Sequence, residues 1–208
     1  MEISKFETKQ EEFWAGISGD EYIERNCDST TIAANMALFS EVLRRTKEVN
    51  SVLELGSNIG LNLHAIHNLL PHIDISAVEI NEKAVARLRK EDWIDIHHES
   101  ILTFSPERKW DFVFTKGVLI HLNPDTLPRV YDLFHAASSR YIMVSEYYSP
   151  QPVEITYRGH KDRLFKRDFA GEILDHAPGF ELVDYGFTYH RDRHFPQDDI
   201  NWFLLEKI

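Results

Sequence analysis

The residues best suited to chemistry lie in a turn between an apolar run and a helical pattern, within the stretch SVLELGSNIGLNLHAI at 51–66. Gly56 and Gly60 belong to this turn, with Ser57 and Asn58 between them. A glycine-rich turn from a parallel strand into a helix lets a ligand approach the backbone closely. Its spacing is neither the dinucleotide fingerprint G-x-G-x-x-G nor a P-loop, which needs a Lys-Ser/Thr pair. The pattern predicts another kind of ligand, although the glycines could simply join a strand to a helix.

Two acids beside this turn indicate which groups the ligand carries. Glu54 lies two residues before the first glycine, where a carboxylate would oppose a pyrophosphate and attract an ammonium group. Glu79 ends the next strand-like run, a position suited to accepting hydrogen bonds from both hydroxyls of a ribose. A ligand with an amino acid end and a ribose is S-adenosylmethionine. Glu79 alone would be a solvated acid at a strand end, and it is the combination that favours a cofactor site.

The elements around the turn indicate an α/β fold. Strand-like runs with β-branched residues cover 49–55, 73–80, 95–100, 110–117 and 141–148, and helical patterns cover 59–70, 82–90, 124–138 and 167–177. This alternation predicts a parallel sheet with helices on both faces. Two further runs, at 180–190 and 200–208, predict an antiparallel pair at the sheet edge. Helical patterns at 9–25 and 31–47 could pack over one end of the sheet.

Residues 49–148 resemble the class I S-adenosylmethionine-dependent methyltransferases. LELGSNIG at 53–60 is similar to their E/D-x-G-x-G-x-G loop, Glu79 to their ribose-binding acid, and DFVFTKGVLIHL at 111–122 to their fourth-strand segment. The resemblance implies a doubly wound, mostly parallel, Rossmann-like sheet of seven strands with an antiparallel C-terminal strand. It also implies S-adenosylmethionine as cofactor, bound by Glu54, Gly56, Ser57, Asn58, Gly60, Glu79, Ile80, Ser100, Ile101 and Lys116.

Two positions depart from that family's pattern. Asn58 replaces the middle glycine of the loop; asparagine tolerates positive φ better than most residues, so the turn can form, but its side chain narrows the approach to the ligand. Ser100 stands where these enzymes often place an acid near the adenine amino group. We expect Ser100 or the backbone at Ile101 to contact that edge of the adenine, more weakly than an acid would.

The resemblance places Lys116, Gly117 and His121 at the floor of the active site, facing the departing methyl group. An imidazole titrates near neutrality, so His121 could take a proton from a hydroxyl or an amine during methyl transfer. His121 could equally cap a helix or line the core. The sequence leaves these two interpretations balanced.

A locally basic segment follows the fifth strand and predicts a substrate loop at about 149–168. Between Tyr157 and Asp168 it holds five basic residues against two acids, in a chain whose formal net charge is −11. Arginines can hold a carboxylate or phosphate through paired hydrogen bonds. We expect Arg158, Arg163 and Lys166 to bind an anionic acceptor, with Tyr148 beside them. A solvated charged loop is the alternative.

The N-terminal segment 1–48 predicts a helical lid over the site. Trp14 and Tyr22 lie around Gly16 and Gly19, so the aromatic rings could exclude water and Tyr22 could donate a hydrogen bond to the acceptor. The same rings could instead form the apolar face of a docked helix.

Five blocks spread over nearly the whole chain resemble a narrower group, the pseudaminic acid biosynthesis-associated methyltransferases. They are EEFWAGISGDEYIERN, LELGSNIGLNL, FTKGVLIHLNPDTLP, YRGHKDRLFKRDFAGEIL and DYGFTYHRDRHFPQDD. This resemblance implies methyl transfer to a small anionic acceptor, a nonulosonic acid or its activated or precursor form, in bacterial surface-glycan biosynthesis. A small phosphonate or phosphate is the alternative acceptor.

Two other classes of protein are weighed against a methyltransferase. The pair Tyr157 and Lys161 has the Tyr-x-x-x-Lys spacing of a nicotinamide-dependent reductase, but Gly159 interrupts the helix that such a pair needs. A non-catalytic protein that keeps the cofactor fold is the other possibility.

The composition of the chain limits the classes of protein to which it can belong. The chain has 208 residues, 43% of them hydrophobic and 27% charged, which fits one folded domain over 1–208. The net charge of −11 argues against general binding to nucleic acid or anionic membrane. Cys27 is the only cysteine, so no intrachain disulfide can form and a cysteine-based zinc site is excluded. The start lacks a signal-peptide pattern and no apolar run could span a bilayer, which predicts a cytoplasmic protein.

Histidine pairs at 64 and 67 and at 97 and 98 are weak metal signals, because spacing alone seldom identifies ligands; we expect no metal. The oligomeric state is left open.

Overall fold

The structure is a computed structural model that describes residues 6–26, 29–176 and 178–208. Its strands are β1 (Ser51–Leu55), β2 (Asp74–Glu79), β3 (Ile94–His98), β4 (Trp110–Lys116), β5 (Ser138–Glu146), β6 (Val153–Tyr157), β7 (His160–Lys166), β8 (Phe180–Phe187) and β9 (Asn201–Lys207). Its helices are α1 (Lys9–Ala15), α2 (Ile17–Arg25), α3 (Ser29–Leu43), α4 (Leu61–Leu69), α5 (Glu82–Leu88), α6 (Leu127–Ala137) and α7 (Phe169–His176).

Seven strands form one mixed sheet in the order β3-β2-β1-β4-β5-β9-β8. The five strands from β3 to β5 run parallel, whereas β9 pairs antiparallel with both β5 and β8. The predicted fold class, a mostly parallel seven-stranded sheet with antiparallel C-terminal pairing, is confirmed.

The central strands of the sheet are buried on both faces. On β1, successive residues point to opposite sides, so that Val52 packs with the residues of α3 and α4 and Leu53 packs with those of α6 and α7. Both side chains are fully buried. A parallel strand covered on both faces needs a continuous apolar run rather than an alternating one, which is why the segment around β1 reads as apolar in the sequence.

The parallel pairing brings the carboxyl ends of four strands to one edge of the sheet. Leu55 at the end of β1 pairs with Val78 in β2, and Glu79 pairs with His98 in β3. On the other side β1 pairs with β4, which comes later in the chain. The order of strands therefore reverses between β1 and β4, and ligands of open α/β sheets bind in the crevice at such a point.

Several predicted boundaries differ from the structure. The helix expected over 9–25 is divided at Gly16, which has an extended conformation (φ −103°, ψ −153°) between α1 and α2. The helix expected over 124–138 begins with a separate 3-10 turn at Pro124–Thr126, and α6 starts at Leu127. The helix expected to reach residue 47 ends at Leu43.

The segment at 149–168, expected to be a loop, is largely a β-hairpin. Strands β6 and β7 pair antiparallel, with Tyr157 opposite His160. The two residues between them, Arg158 (φ 49°) and Gly159 (φ 84°), both have positive φ. This is the two-residue connection that matches the twist of paired strands.

Some predictions fall on residues outside the described ranges. These are Cys27, the first five residues of the predicted lid and position 177 of the predicted last helix. None of the helices within the described ranges has both the length and the apolar character that crossing a membrane requires.

Candidate functional site

A cavity of about 490 Å³ lies at the carboxyl ends of β1, β2 and β4 and extends beneath α1 and α2. Its volume is within the range of small-molecule sites. Most of the residues predicted to bind a cofactor line it, namely Gly56, Ser57, Asn58, Glu79, Ile80, Ser100, Ile101 and Lys116. Trp14, Tyr22 and His121, predicted on the acceptor side, also line it.

The turn after β1 has the strained backbone that its glycines predict. Gly56 and Gly60 both have φ of 80°, and Asn58 adopts the left-handed region at φ 48°. A Cβ on Gly56 would lie 2.8 Å from the Val118 side chain, and one on Gly60 would lie 2.7 Å from Leu88. The positive φ favours glycine at both positions, and the contact with Val118 adds a steric reason at Gly56. Asn58 occupies the middle position without glycine, as its tolerance of positive φ predicts.

Glu79 fixes the same turn from β2. Its two carboxylate oxygens accept hydrogen bonds from the backbone N–H of Asn58 (2.6 Å) and of Asn81 (2.7 Å). Burial raises the pKa of Glu79, while these backbone bonds oppose the rise. A carboxylate has about four lone-pair sites, so it retains capacity for a further donor. Glu79 lies in the cavity wall, where hydroxyl groups of a ligand could reach it.

Glu54 lies behind the wall rather than in it. Its side chain is fully buried (0% exposed), and Asn62, which does line the cavity, donates a hydrogen bond of 2.6 Å to its Oε1. The other oxygen, Oε2, has no partner among the described residues. Burial raises the pKa of Glu54 to about 8, opposed by the Asn62 hydrogen bond and by the charge of Lys116. Asn62 was not predicted; a polar residue within the first turn of the following helix was the available signal.

Lys116 brings a half-buried cation to the cavity at the end of β4. Burial lowers the pKa of its ammonium group, and the charges of Asp198, Glu54 and Glu146 oppose that change. Among the described residues that line the cavity, it is the only lysine or arginine.

His121 ends a short 3-10 helix, Leu119–His121, and is 8% exposed. Its Nδ1 lies 2.5 Å from the carbonyl oxygen of Arg163. A carbonyl oxygen can only accept, so Nδ1 carries the proton and the lone pair of the neutral ring is on Nε2. Burial lowers the pKa of His121 to about 4, opposed by the hydrogen bond to Arg163. The ring is therefore a neutral proton acceptor at physiological pH.

Glu146 positions this 3-10 turn and was not predicted. Its carboxylate accepts hydrogen bonds from the backbone N–H groups of Val118 and Leu119, both at 3.1 Å, and of Ile120 at 3.3 Å. It satisfies the donors that a helix start leaves free. Burial raises the pKa of Glu146 to about 7 against those three bonds. An acid at the end of a buried strand was its only signal in the sequence.

The pair α1–α2 covers the cavity. The Trp14 ring lies 4.6 Å from the His121 ring and 5.5 Å from the Tyr22 ring, measured between centroids. Trp14 Nε1 is buried without a partner among the described residues. Burial raises the pKa of Tyr22 to about 12, so its hydroxyl stays protonated and can donate. The two aromatic residues therefore meet the predicted catalytic histidine at one end of the cavity.

Close contacts attach α2 to the start of α5. Asn81 Nδ2 donates hydrogen bonds to the Trp14 carbonyl (3.2 Å) and to Asp20 (3.0 Å), and Lys83 pairs with Asp20 at 2.6 Å. A Cβ on Gly19 would lie 1.9 Å from the Trp14 carbonyl oxygen. Only glycine at position 19 permits this approach.

The far end of the cavity joins Ser100 and Ile101 to helix α1. Ser100 Oγ donates a hydrogen bond of 2.5 Å to Glu11 Oε1, and Glu11 itself lines the cavity. Glu11 was not predicted as a site residue. Its sequence signal was its place three residues after Thr8, the spacing of a helix capping box.

The basic residues of the hairpin do not line the main cavity. The Arg163 guanidinium lies over the Phe13 ring at 5.2 Å, and the Lys166 ammonium lies over the Tyr147 ring at 5.0 Å. Arg158 borders a second cavity of about 190 Å³, between the hairpin tip and α2. Tyr148 is 40% exposed and forms an isolated bridge with Arg167. The predicted anion-binding residues therefore lie outside the wall of the main cavity.

The connection between β8 and β9 contributes a wall that was not predicted. His190, Gln197 and Asp198 line the cavity. Gln197 Nε2 donates to the Ala34 carbonyl (2.8 Å), and the Tyr147 hydroxyl donates to Asp198 (3.1 Å). Such loop residues carry no local pattern that distinguishes a wall from a solvated turn.

Within the part of the chain that the structure describes, no group of three or more His, Cys, Asp or Glu side chains could hold a metal ion. His67 stacks on Trp93 (4.1 Å between centroids), and His97 lies 5.0 Å from Phe104. Packing against aromatic rings therefore accounts for two of the four histidines, His67 and His97.

The chain shares its fold with solved methyltransferases. The 1,6-didemethyltoxoflavin-N1-methyltransferase of Burkholderia thailandensis, with 1,6-didemethyltoxoflavin and S-adenosylhomocysteine bound, superposes with a TM-score of 0.69 at 17% identity over 99% of this chain and 93% of that one. The plantazolicin methyltransferase BpumL in complex with S-adenosylhomocysteine gives 0.67 at 14% identity, over 95% and 93%. The glycopeptide N-methyltransferase MtfA complexed with sinefungin gives 0.65 at 16% identity, over 88% and 95%.

At these identities the likeness establishes the fold. No protein-family model matches the sequence, and no curated protein matches it either.

Proposed function

We propose that the protein is an S-adenosylmethionine-dependent methyltransferase. The observation that carries this proposal is the cavity at the point where the strand order reverses, whose wall joins the glycine turn to Glu79. Its volume of about 490 Å³ suits a ligand of nucleoside size. The shared fold adds support, because the similar proteins were solved with S-adenosylhomocysteine or sinefungin bound.

The polar groups present fit the proposed cofactor. Around the end of β1, the buried atoms Ser57 Oγ and Asn62 Oδ1, which belong to residues of the cavity wall, have no partner among the described residues. Buried polar atoms are normally satisfied, and an amino acid group would supply both donors and acceptors there. Glu79 would take the ribose hydroxyls, and Ser100 and Ile101 border the space for the base. When bound, the cofactor would supply a methyl group on an electrophilic sulfonium.

The residues of the chain would mainly align the acceptor and exclude water. Trp14 and Tyr22 cover the His121 end of the cavity, and the Tyr22 hydroxyl can orient an acceptor oxygen or nitrogen. The neutral Nε2 of His121 can accept the proton that the acceptor loses. Since such a transfer depends mostly on alignment, positioning can account for much of the rate.

For the acceptor we propose a small anion, a nonulosonic acid of the pseudaminic type or its activated or precursor form. The cations of the hairpin support an anionic acceptor: Arg158 borders the 190 Å³ cavity together with Arg25 and His160, and one acid, Glu21, lines it as well. A small phosphonate or phosphate is also an anion and is the second candidate.

Calorimetric binding tests the cofactor. S-adenosylhomocysteine and NADPH are titrated into the wild-type protein, Glu79→Gln and Glu82→Gln. Glu82 is the matched control, because it is an exposed acid on the first turn of α5. We expect S-adenosylhomocysteine alone to bind, at least tenfold more weakly to Glu79→Gln and unchanged to Glu82→Gln. Binding of NADPH alone would favour a reductase, although Tyr157 and Lys161 lie on opposite strands of the hairpin rather than on one helix.

Turnover tests the reaction and the acceptor. S-adenosylhomocysteine release is followed with a nonulosonic acid, its nucleotide-activated form and small phosphonates. Arg158→Ser should raise KM for the true acceptor and leave cofactor affinity unchanged, whereas Arg89→Ser, an exposed change directly after α5, should alter neither. Cofactor binding without turnover on any acceptor would favour a non-catalytic role.

A further inference from the structure

The order of the strands indicates where each part of the proposed cofactor lies in the cavity. Starting from β1, with Glu54 and Asn62 at the amino acid end, the neighbouring strand β2 presents Glu79 and the next strand β3 leads to Ser100. A ligand whose ribose lies at Glu79 therefore has its base over the end of β3. This placement rests on the proposed function.

At that end of the cavity a carboxylate is supplied by the N-terminal helix α1. Of the described residues that line the cavity, three carry a carboxylate: Glu11, Glu79 and Asp198. Glu79 lies at the ribose position, and Asp198 accepts a hydrogen bond from Tyr147 beyond the end of β5. Glu11 is the one beside Ser100, to which it is hydrogen bonded at 2.5 Å.

Glu11 is buried and held in place, with acceptor capacity left over. Its side chain is 5% exposed, and its Oε2 accepts hydrogen bonds from the backbone N–H (2.8 Å) and the hydroxyl (3.0 Å) of Thr8. Its Oε1 accepts one bond, from Ser100, and can accept a second. A buried carboxylate oxygen with a free lone pair, bordering a ligand cavity, favours a ligand that donates.

Adenine presents one such donor on its outer edge, the exocyclic 6-amino group. We infer that Glu11 binds this amino group, so that helix α1 takes part in recognising the base. The neighbouring residues of α1 reach the acceptor side: Gln10 Nε2 donates to the Asp162 carbonyl in the hairpin (3.0 Å), and Trp14 lies against His121. Recognition of adenine therefore strengthens the attachment of the helix that covers the acceptor end.

The test compares S-adenosylhomocysteine with its 6-deamino analogue, which keeps every other group of the base. Both are titrated calorimetrically into the wild-type protein, Glu11→Gln and Glu12→Gln. Gln at position 11 preserves the capping box with Thr8, and Glu12 is an exposed acid in the same helical turn. We expect the wild type and Glu12→Gln to prefer S-adenosylhomocysteine by roughly tenfold to a hundredfold. Glu11→Gln should prefer it by less than about fivefold.

Equal losses of affinity for both ligands in Glu11→Gln would show that Glu11 only supports the helix, and an unchanged preference would likewise overturn the inference. A wild type without preference overturns it directly. If Glu11→Gln fails to fold by circular dichroism, Glu11→Asp, which withdraws the carboxylate by one methylene, should show a reduced preference, and an unchanged one would contradict the assignment. Failure of both ligands to bind the wild type would instead overturn the proposed function.

Discussion

At the scale of single residues, Glu54 makes the stability of the folded protein depend on pH. Burial raises its pKa to about 8, from an ordinary value of 4.5, so the folded state holds the proton more tightly than the unfolded chain does. The stability that this preference provides is fully present below pH 4.5 and is lost as the pH rises through about 8. Burial raises the pKa of Glu146 to about 7, so the stability that Glu146 provides is also lost as the pH rises, over a pH range that ends lower.

Glu54→Gln should remove this loss. Between pH 7 and 8, where most of the Glu146 contribution is already gone, we expect the wild-type free energy of unfolding to fall by about 1 kcal/mol and that of Glu54→Gln to change little. Urea unfolding at three pH values measures it. Glu146→Gln is the control, since it should keep the wild-type slope in that window; a slope shared by the wild type and Glu54→Gln would contradict the role of Glu54.

His121 sets a second pH dependence. If its neutral Nε2 accepts the proton, activity is lost only as the pH falls through about 4, well below the range of an ordinary imidazole. His121→Ala should lower kcat by about 10² or more and change the affinity for S-adenosylhomocysteine less than twofold. His176→Ala, which removes an exposed imidazole paired with Asp132, should change neither. An acid limb near pH 6.5, or equal losses in kcat and affinity, would count against this role.

At the scale of elements, the helical pair α1–α2 depends on one glycine. Gly19→Ala would place a Cβ 1.9 Å from the Trp14 carbonyl oxygen and 2.8 Å from Asn81 Nδ2, so α2 would have to move away from the end of α1. We expect a loss of about 1–3 kcal/mol in stability, faster hydrogen exchange over 9–25 and weaker binding of S-adenosylhomocysteine. Ser18→Ala, on the same helix, should leave all three unchanged. Wild-type exchange in Gly19→Ala would show that the helices have room to adjust.

The hairpin shows where sequence patterns mislead at this scale. Its charged residues predict a substrate loop, yet the segment forms two paired strands, in which Leu164 is buried and Arg158-Gly159 provides the positive φ of a tight turn. The turn signal was weak because arginine seldom adopts that region. Pairing across a hairpin is decided by both strands together, which a charge count along one segment does not capture.

At the scale of the whole molecule, local sequence patterns predict the individual strands and turns but not the contacts between residues that lie far apart in the chain. The parallel strands and the glycine turn follow from local patterns, because β1, β2 and β4 are largely apolar runs, of which β2 and β4 end in the polar residues Glu79 and Lys116. The cavity wall is also built from Asn62, Gln197 and Glu11, which belong to separate elements. Their proximity depends on helix docking and on loop paths, for which the spacing of residues gives no rule.

The proposed cofactor should stabilise the whole fold, because its cavity is bounded by the first helices, four strand ends and the connection between β8 and β9. At a concentration 100 times its dissociation constant, a ligand that binds only the folded state adds about 2.7 kcal/mol. For a chain of 208 residues this corresponds to a rise in Tm of roughly 5–11 °C. Thermal melts followed by circular dichroism, with S-adenosylhomocysteine and with NADPH, measure it. At the same concentration, Glu79→Gln should show a smaller rise in Tm and Glu82→Gln the full rise. A rise in Tm with NADPH alone would contradict the proposed cofactor and favour a hydride-transfer enzyme.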